Sequence, residues 1–523
     1  MRELRIVTSP PAKRGTGPAP LRSRNTSGGE GCPLLLFCAL MKALLPSPGR
    51  RGAGGEVNTW KRQTLTIICN FIITATLLSS CSNILEPEPI DLLTDDIVLN
   101  EPKDVPNVEI GLYAAFRPII PSAVIAGDFT ADMLIHNGTF SNFRELGTKQ
   151  ITSANGSATA LWASIYNTVY IANFIIEKLP TVPGVRSTDR DRVLATAHFL
   201  RGYAYFMAVY TFGGVPLVTT TDIEANRNIA RTEEGDVLDF ILEDYNEALG
   251  ILPEIPANAG FASDFAVRAA LAKYHLYLEN WSEAEDFSSD VIASGLYSLD
   301  TLFTNIVRKD FTQEAIFEMG YTINDDPGTN GTIGLNNLFV GRREIIPSNQ
   351  TILALASDES GERFASISFS ISNLVGADNG WSVAKYGTAD QDNNNVVVFR
   401  LAEMYLIRAE AKANQGNVTG ARADINILRA RADIWNSTTK TKTFTPRVGA
   451  VTQAQMLQII ETERIYELAF EGHRWYDLVR TGRASVVMPA FNDNWKNAYE
   501  LWPIPQREIQ NNPALAGHQN PGY

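Results

Sequence analysis

Residues 270–285 read ALAKYHLYLENWSEAE, and at a fixed offset of 137 residues 407–422 read IRAEAKANQGNVTGAR. Under that offset Ala272 matches Ala409, Asn280 matches Asn417 and Ala284 matches Ala421. Each segment reads as a helix, a short polar turn and a second helix. The small residues lie twelve apart, one on each helix, where the absence of a long side chain lets two helix axes come close.

This pattern resembles two positions of a tetratricopeptide array, in which helix A meets helix B. Working outward, the same period continues. Residues 189–211 (DRDRVLATAHFLRGYAYFMAVYT) put Val193, Ala197, Leu200, Ala204 and Met207 on one face. The acidic first turn suits the helix dipole, and Gly213, Gly214 and Pro216 end the run. Further helices are expected at 158–179, 232–250, 263–278, 282–294, 401–414, 420–432, 453–470 and 473–481. Between them, residues 320–398 are rich in Gly, Asn, Asp and Ser with little period, and read as long loops with short strands. Residues 433–450 read as a Thr- and Lys-rich insertion. The expected fold is mainly α: tetratricopeptide-like helix pairs supporting a loop-rich region with short strands.

Composition narrows the function. The 523 residues carry a formal charge of −13, with 45% hydrophobic and 20% charged residues. Residues 1–80 hold 11 Lys+Arg and 3 Asp+Glu, so the remaining 34 basic and 55 acidic groups leave the body at −21. A body that acidic repels a phosphate backbone, which argues against a nucleic-acid partner. The four cysteines are Cys32, Cys38, Cys69 and Cys81, and none follows Cys81. That excludes a disulfide framework, a thiolate metal site and a cysteine nucleophile from the body.

Residues 61–81 read KRQTLTIICNFIITATLLSSC. Lys61 and Arg62 flank 14 mostly apolar residues, Leu65 to Leu78. As a helix that run spans roughly 21 Å, short of a ~30 Å hydrocarbon core. It fits the apolar core of an export signal better than a permanent span. The ending Leu78-Ser79-Ser80-Cys81 resembles the lipobox of bacterial lipoproteins, whose small residues admit the peptidase and whose thiol takes the lipid. Residues 61–80 are therefore expected to be a lipoprotein signal peptide, with Cys81 the lipidated residue and first residue of an 81–523 body. Residues 1–60, rich in Pro, Gly and Arg without period, read as a mis-set start or an unstructured leader, an internal start at Met41 or later giving a more ordinary signal. The stretch SNILEPEPID that follows Cys81 reads as a tether.

The C-terminal third carries a more specific likeness. RLAEMYLIRAEA (400–411), ETERIYELAFEGHRWYDLVRTGRA (461–484) and LWPIPQREIQNNPALAGHQNPGY (501–523), together with LRGYAYFMAVYTFGGVPLV (200–218), resemble the SusD/RagB family of outer-membrane lipoproteins. The resemblance covers essentially all of 81–523 in order. It implies a helical repeat scaffold at 158–295 and 400–482, and a loop-rich ligand region at about 127–157 and 320–398. It also implies a surface-exposed protein, lipid-anchored to the outer membrane, that acts as a lid on a TonB-dependent (SusC-like) transporter and holds an oligosaccharide, or a peptide, for import.

Sugar rings stack their C–H faces on aromatic planes, and their hydroxyls need Asn, Asp, Arg or Gln partners. The candidate ligand residues are thus loop aromatics with polar neighbours. The first group is His136, Asn137, Phe140, Asn142, Phe143 and Arg144, outside clear helical period within 127–146. The second is Tyr321, Asn324, Asp325 and Asn330, and the third is Trp381 and Tyr386. Trp162, Trp281, Trp475 and Trp502 are assigned to core. The dense charges of 461–484 (Glu463, Arg464, Glu467, Glu471, Arg474, Asp477, Arg480) read as an ion-pair lattice of the scaffold, supported by pairs three and four apart, rather than as an acid/base pair of Glu467 and Glu471. No HExxH, two-histidine metal spacing, Gly-x-Ser-x-Gly or P-loop occurs, so no metal, cofactor or catalytic residue is expected. Two rivals remain open: a helical glycoside hydrolase, which needs only two carboxylates placed by the fold, and a repeat scaffold that binds only protein.

Overall fold

The computed structural model describes residues 99–306, 309–320, 334–372, 374, 378–386, 395–436 and 438–523, all within one contact unit, Leu93–Tyr523. Cys81, the signal segment and the group Tyr321, Asn324, Asp325 and Asn330 lie outside the described residues.

The chain enters through α1 (Val105–Phe116) and α2 (Ile119–Val124), passes β1 (Leu134–His136) and the short α3 (Ser141–Gly147), and then runs into α4 (Gly156–Lys178) and α5 (Ser187–Phe212). Next come α6 (Glu234–Ala248), α7 (Asp264–Tyr277) and α8 (Trp281–Ala293). An irregular region holds β2 (Ala315–Met319), β3 (Ile345–Pro347), α9 (Asn349–Leu355), β4 (Ile367–Phe369), β5 (Trp381–Val383) and β6 (Val396–Arg400). The helices resume with α10 (Leu401–Asn414) and α11 (Val418–Arg431), a β7–β8 hairpin (Ile434–Asn436, Thr441–Thr443), α12 (Gln453–Glu467), α13 (Arg474–Arg480) and α14 (Ala484–Phe491). The fold is mainly α, as the periods imply. Only two-stranded antiparallel pairings are present among the described residues: β1–β3, β2–β6, β4–β5 and β7–β8. Helix α3 departs from expectation, because Asn142, Phe143 and Arg144 sit on a helix rather than in a loop; seven residues are too few to display a period.

The helices stack in chain order: α4 on α5, α5 on α6, α7 on α8, α8 on α10, α10 on α11 and α12. The two repeat copies are therefore neighbours, joined across the loop-rich insertion. Their turns match bond for bond. Asn280 N donates to His275 O at 2.9 Å and Asn417 N to Lys412 O at 2.8 Å; Trp281 N donates to Glu279 O and Val418 N to Gly416 O. These bonds close each helix end around a left-handed residue just beyond it, Glu279 at φ +57° and Gly416 at φ +84°. Glycine takes that conformation without strain, whereas Glu279 adopts it against its Cβ. Ala272, Ala284, Ala409 and Ala421 are fully buried where the paired helices meet.

The apolar core runs from Leu99 to Leu515, with a second cluster of Ala402, Leu406, Ile425, Met456 and Ile460 between α10, α11 and α12. Trp162, Trp475 and Trp502 are buried in it, while Trp281 is only half-buried. The last residues close over α5: Trp502 N donates to Thr211 O at 2.7 Å, its Nε1 to Thr130 Oγ1 at 2.9 Å, and Asn520 Nδ2 to Phe212 O at 2.8 Å.

The charged run after residue 461 is a lattice, but its partners are mostly distant in sequence. Glu467 is fully buried among Arg363, Arg400 and Arg431, the Arg400 Nη1 contact being 2.7 Å. Arg400 also meets Glu314 at 2.7 Å and Glu471 at 2.8 Å, and Arg431 meets Glu314 at 2.8 Å. Glu463 bridges Arg363 and Arg429. Asp477–Arg480 is the local pair of the kind expected from spacing. Glu403 and His473 add a further buried contact at 3.6 Å. Burial raises the Glu467 carboxyl, but Arg431, Arg400 and Arg363 outweigh it and hold the group far below its ordinary 4.5; Glu471 and Asp477 are lowered in the same way. Stability from these depressed carboxylates is fully present above their ordinary values and is lost as pH falls from about 4.5 toward their native values. Glu467→Gln leaves three guanidinium groups short of a counter-charge, so a loss of about 3–5 kcal/mol is expected in denaturant titration at pH 7, with a shallower acid slope than the parent protein. Equal stability and an unchanged acid slope would show that the lattice is dispensable.

Candidate ligand-binding face

Two of the three sequence-selected groups meet on the loop-rich face. Strand β1 pairs antiparallel with β3, Leu134 opposite Pro347 and His136 opposite Ile345. Strand β3 packs against β5, which pairs with β4 so that Phe369 lies opposite Trp381. Residues 134–147 are thereby held beside 342–347 and 378–383.

Arg343 is the hub. Its guanidinium grips Asp378, with Nε to Oδ2 at 2.6 Å, and its Nη2 donates to Trp381 O at 2.9 Å. Asn137 Nδ2 donates to Arg343 O at 2.9 Å and lies 3.5 Å from Asp378 Oδ2. Arg343's hydrogen bonds hold the Asp378 carboxyl below its ordinary 3.8, helped against desolvation by the Gly380 N–H. Asp378, Asn379 and Gly380 form a turn. Asp378 Oδ1 accepts from Gly380 N at 2.8 Å, and Asn379 Oδ1 from Trp381 N at 3.0 Å. Gly380 sits at φ +81°, where an added Cβ would lie 2.6 Å from the Phe369 ring, so glycine is what lets that ring close on Trp381.

His136 Nε2 contacts buried Glu344 at 3.1 Å, and Glu344 also accepts from the Phe140 N–H. The Arg342 guanidinium lies 4.2 Å from the Phe140 ring centroid, a cation–π contact on a half-buried ring. Asn142 and Arg144 are exposed on α3. At the other end Trp381 meets Phe364 at 5.7 Å and Phe369 at 5.2 Å between ring centroids. Phe364 is 38% and Phe369 46% exposed.

Two selected residues are not available to a ligand. Phe143 is buried against Phe129 and Phe140, on the inward side of α3. Tyr386 is buried, stacks on Phe339 at 5.8 Å and donates its hydroxyl to Phe470 O. Neither burial shows in a segment without period. Arg342, Arg343, Phe364, Phe369, Asp378 and Asn379 were not selected from sequence. The Asp-Asn-Gly-Trp turn was the one local signal for part of that group; the rest converge only through β1–β3 and β4–β5 pairing. Among the described residues no group of three His, Cys, Asp or Glu side chains is placed to hold a metal ion.

Residues 379–523 match the family model described as "SusD family", and residues 94–278 match the one described as "Starch-binding associating with outer membrane". The chain belongs to the SusD/RagB family. SusD-like protein P38 of Formosa agariphila is 26% identical over 514 residues, covering 88% of this chain and 100% of that protein. The starch-binding protein SusD of Bacteroides thetaiotaomicron is 34% identical over 145 residues, 26% of this chain and 23% of that protein. Among solved structures, a laminarin-binding SusD-like protein superposes with a TM-score of 0.68 at 24% identity, over 81% of this chain and 100% of that one. Surface glycan-binding protein A from Bacteroides fluxus gives 0.66 at 21%, over 80% and 99%. These structural likenesses establish the shared family fold.

Because Arg343 ties three segments together, Arg343→Met is expected to cost about 1.5–3 kcal/mol through the unpaired, buried Asp378 carboxylate. Hydrogen exchange should accelerate at residues 378–383 while the α10–α12 stack stays protected. Uniform acceleration across the chain would contradict a local hub.

Proposed function

We propose that this protein binds a nutrient glycan on the loop-rich face without converting it, and passes it to a TonB-dependent outer-membrane transporter. The observation that carries the reading is the Phe364–Trp381–Phe369 cluster standing beside Asn137, Arg343, Asp378 and Asn379. Exposed aromatic planes take the apolar face of a pyranose, and amide and guanidinium groups at the edge take its hydroxyls. Asn137 Oδ1, buried beside this cluster, has no hydrogen-bond partner among the described residues. The names of the family model and of the laminarin-binding neighbour support the same class of ligand. Anchorage through a lipid on Cys81 and exposure at the cell surface belong to this proposal, resting on the lipobox-like ending of residues 61–81.

A hydrolytic role is less well supported. A glycosidase needs one carboxyl group free to give a proton and another ready to attack or activate water. On this face Asp378 is committed to Arg343, and Glu344 to His136 and the Phe140 N–H.

Affinity electrophoresis with laminarin and starch, followed by calorimetry on whichever is retained, tests the proposal. Trp381→Ala is expected to weaken binding about tenfold or more, ~1.4 kcal/mol, and the recovered glycan should be of unchanged length. Shortened glycan, or Trp381→Ala binding as well as the parent, overturns it. Labelling with a palmitate analogue, lost in Cys81→Ala, and co-purification of a TonB-dependent transporter test the anchor and the hand-over.

A further inference from the structure

A separate cavity of about 460 Å³ lies on the helical side, walled by α7, α8, α10, α12 and α13. That volume is in the range of small-molecule sites, roughly 300–1,000 Å³. Its floor is apolar (Leu457, Leu468), and half-buried Trp281 stands in its wall.

Arg464 lines this cavity although it is only 4% exposed. Its Nε is bound to Asp477 Oδ2 at 2.7 Å, but neither Nη1 nor Nη2 has a hydrogen-bond partner among the described residues. Tyr277, 7% exposed and on the same wall, likewise has a hydroxyl without a partner. Leaving such buried donors unmet is costly, most of all for a charged group. The neighbouring arginines are already matched. Arg480 pairs bidentately with Glu410 at 2.6 and 2.8 Å and also holds Asp477 at 2.9 Å. Arg474 pairs with Asp132 at 2.9 Å and Glu461 at 3.2 Å, and Arg483 with Glu461 at 3.3 Å. Of the buried side chains on this wall, one guanidinium edge and one phenol, both donors, are left without a partner among the described residues, while the exposed Glu279 carboxylate stands at the cavity's rim.

We propose that this cavity is a second binding site, distinct from the loop-rich face, for a small carboxylate-bearing molecule held by the paired Nη groups of Arg464 and the Tyr277 hydroxyl. A planar guanidinium edge matches the two oxygens of a carboxylate in geometry and charge. Trp281 supplies an apolar plane for the carbon skeleton. An acidic sugar and an amino acid both present this carboxylate.

The full-length protein, titrated calorimetrically at pH 7 with sodium glucuronate, sodium glutamate and neutral glucose, tests this site. One of the two carboxylates should bind saturably and glucose should not; which one binds identifies the source. Tyr277→Phe removes only an unpartnered hydroxyl and is expected to weaken binding about tenfold. Arg464→Met should abolish it, with Asp477 still paired to Arg480. Trp381→Ala should leave it unchanged, which separates this site from the glycan face. Binding of neither carboxylate, equal binding of glucose, or wild-type affinity in either cavity variant overturns the proposal.

Discussion

The fold turns on a buried charge lattice centred on Glu467. Desolvating a carboxylate without a partner is prohibitive, and burying one among three guanidinium groups is tolerable only if all arrive in register. Those guanidiniums come from Arg363 in the irregular region, Arg400 at the junction of β6 and α10, and Arg431 at the end of α11. Glu314, just before β2, completes the set. The lattice therefore fastens the loop-rich insertion to the helical stack at the place where the second repeat copy begins. Removing one member leaves its partners buried without a counter-charge, so the junction holds only when the set is complete.

From that junction the construction proceeds in both directions. On one side, Glu471 and Gly472 lead into a tight backbone approach: Gly472 N donates to Asp128 Oδ2 at 2.7 Å, and an added Cβ on Gly127 would lie 2.0 Å from Gly472 O. Burial raises the Asp128 carboxyl to about 7 despite the N–H groups of Gly472 and Arg474. This contact seats residues 127–136 and so delivers β1 to β3. On the other side, Lys385 reaches Glu471 and Ala469 O, which anchors the end of the β5 segment. Both halves of the candidate ligand face, 134–147 and 378–383, thus hang from residues 467–474.

The two surfaces differ in construction. The aromatic cluster around Trp381 sits on short strands and turns that the lattice holds but does not bury, so its rings stay exposed. The helical cavity is lined by charged side chains that mostly pair with one another, so a buried donor left unmatched carries weight. A loop-borne platform suits an extended, hydroxyl-rich ligand. A buried guanidinium suits one small anion.

Much of the scaffold was legible in residues 158–294 and 401–481, because a helix that buries one face prints its 3.6-residue period on the chain whatever it packs against. The offset of 137 even located the matching turns at Glu279 and Gly416. The site was only partly legible. His136, Asn137 and Trp381 could be picked as polar or aromatic residues in aperiodic sequence, but Phe143 and Tyr386 have the same local appearance and point into the core. Arg343, Phe364 and Asp378 carry no linear signal, since what joins them is strand pairing between segments that are remote in sequence. Likewise, that Arg464 has two unmatched donors cannot be read from ETERIYELAF, because partnership is a matter of distance and direction. Sequence by itself determined the periodic frame and its repeat; tertiary structure alone decided which side chains face outward together, because burial and hydrogen bonding are properties of the packed chain.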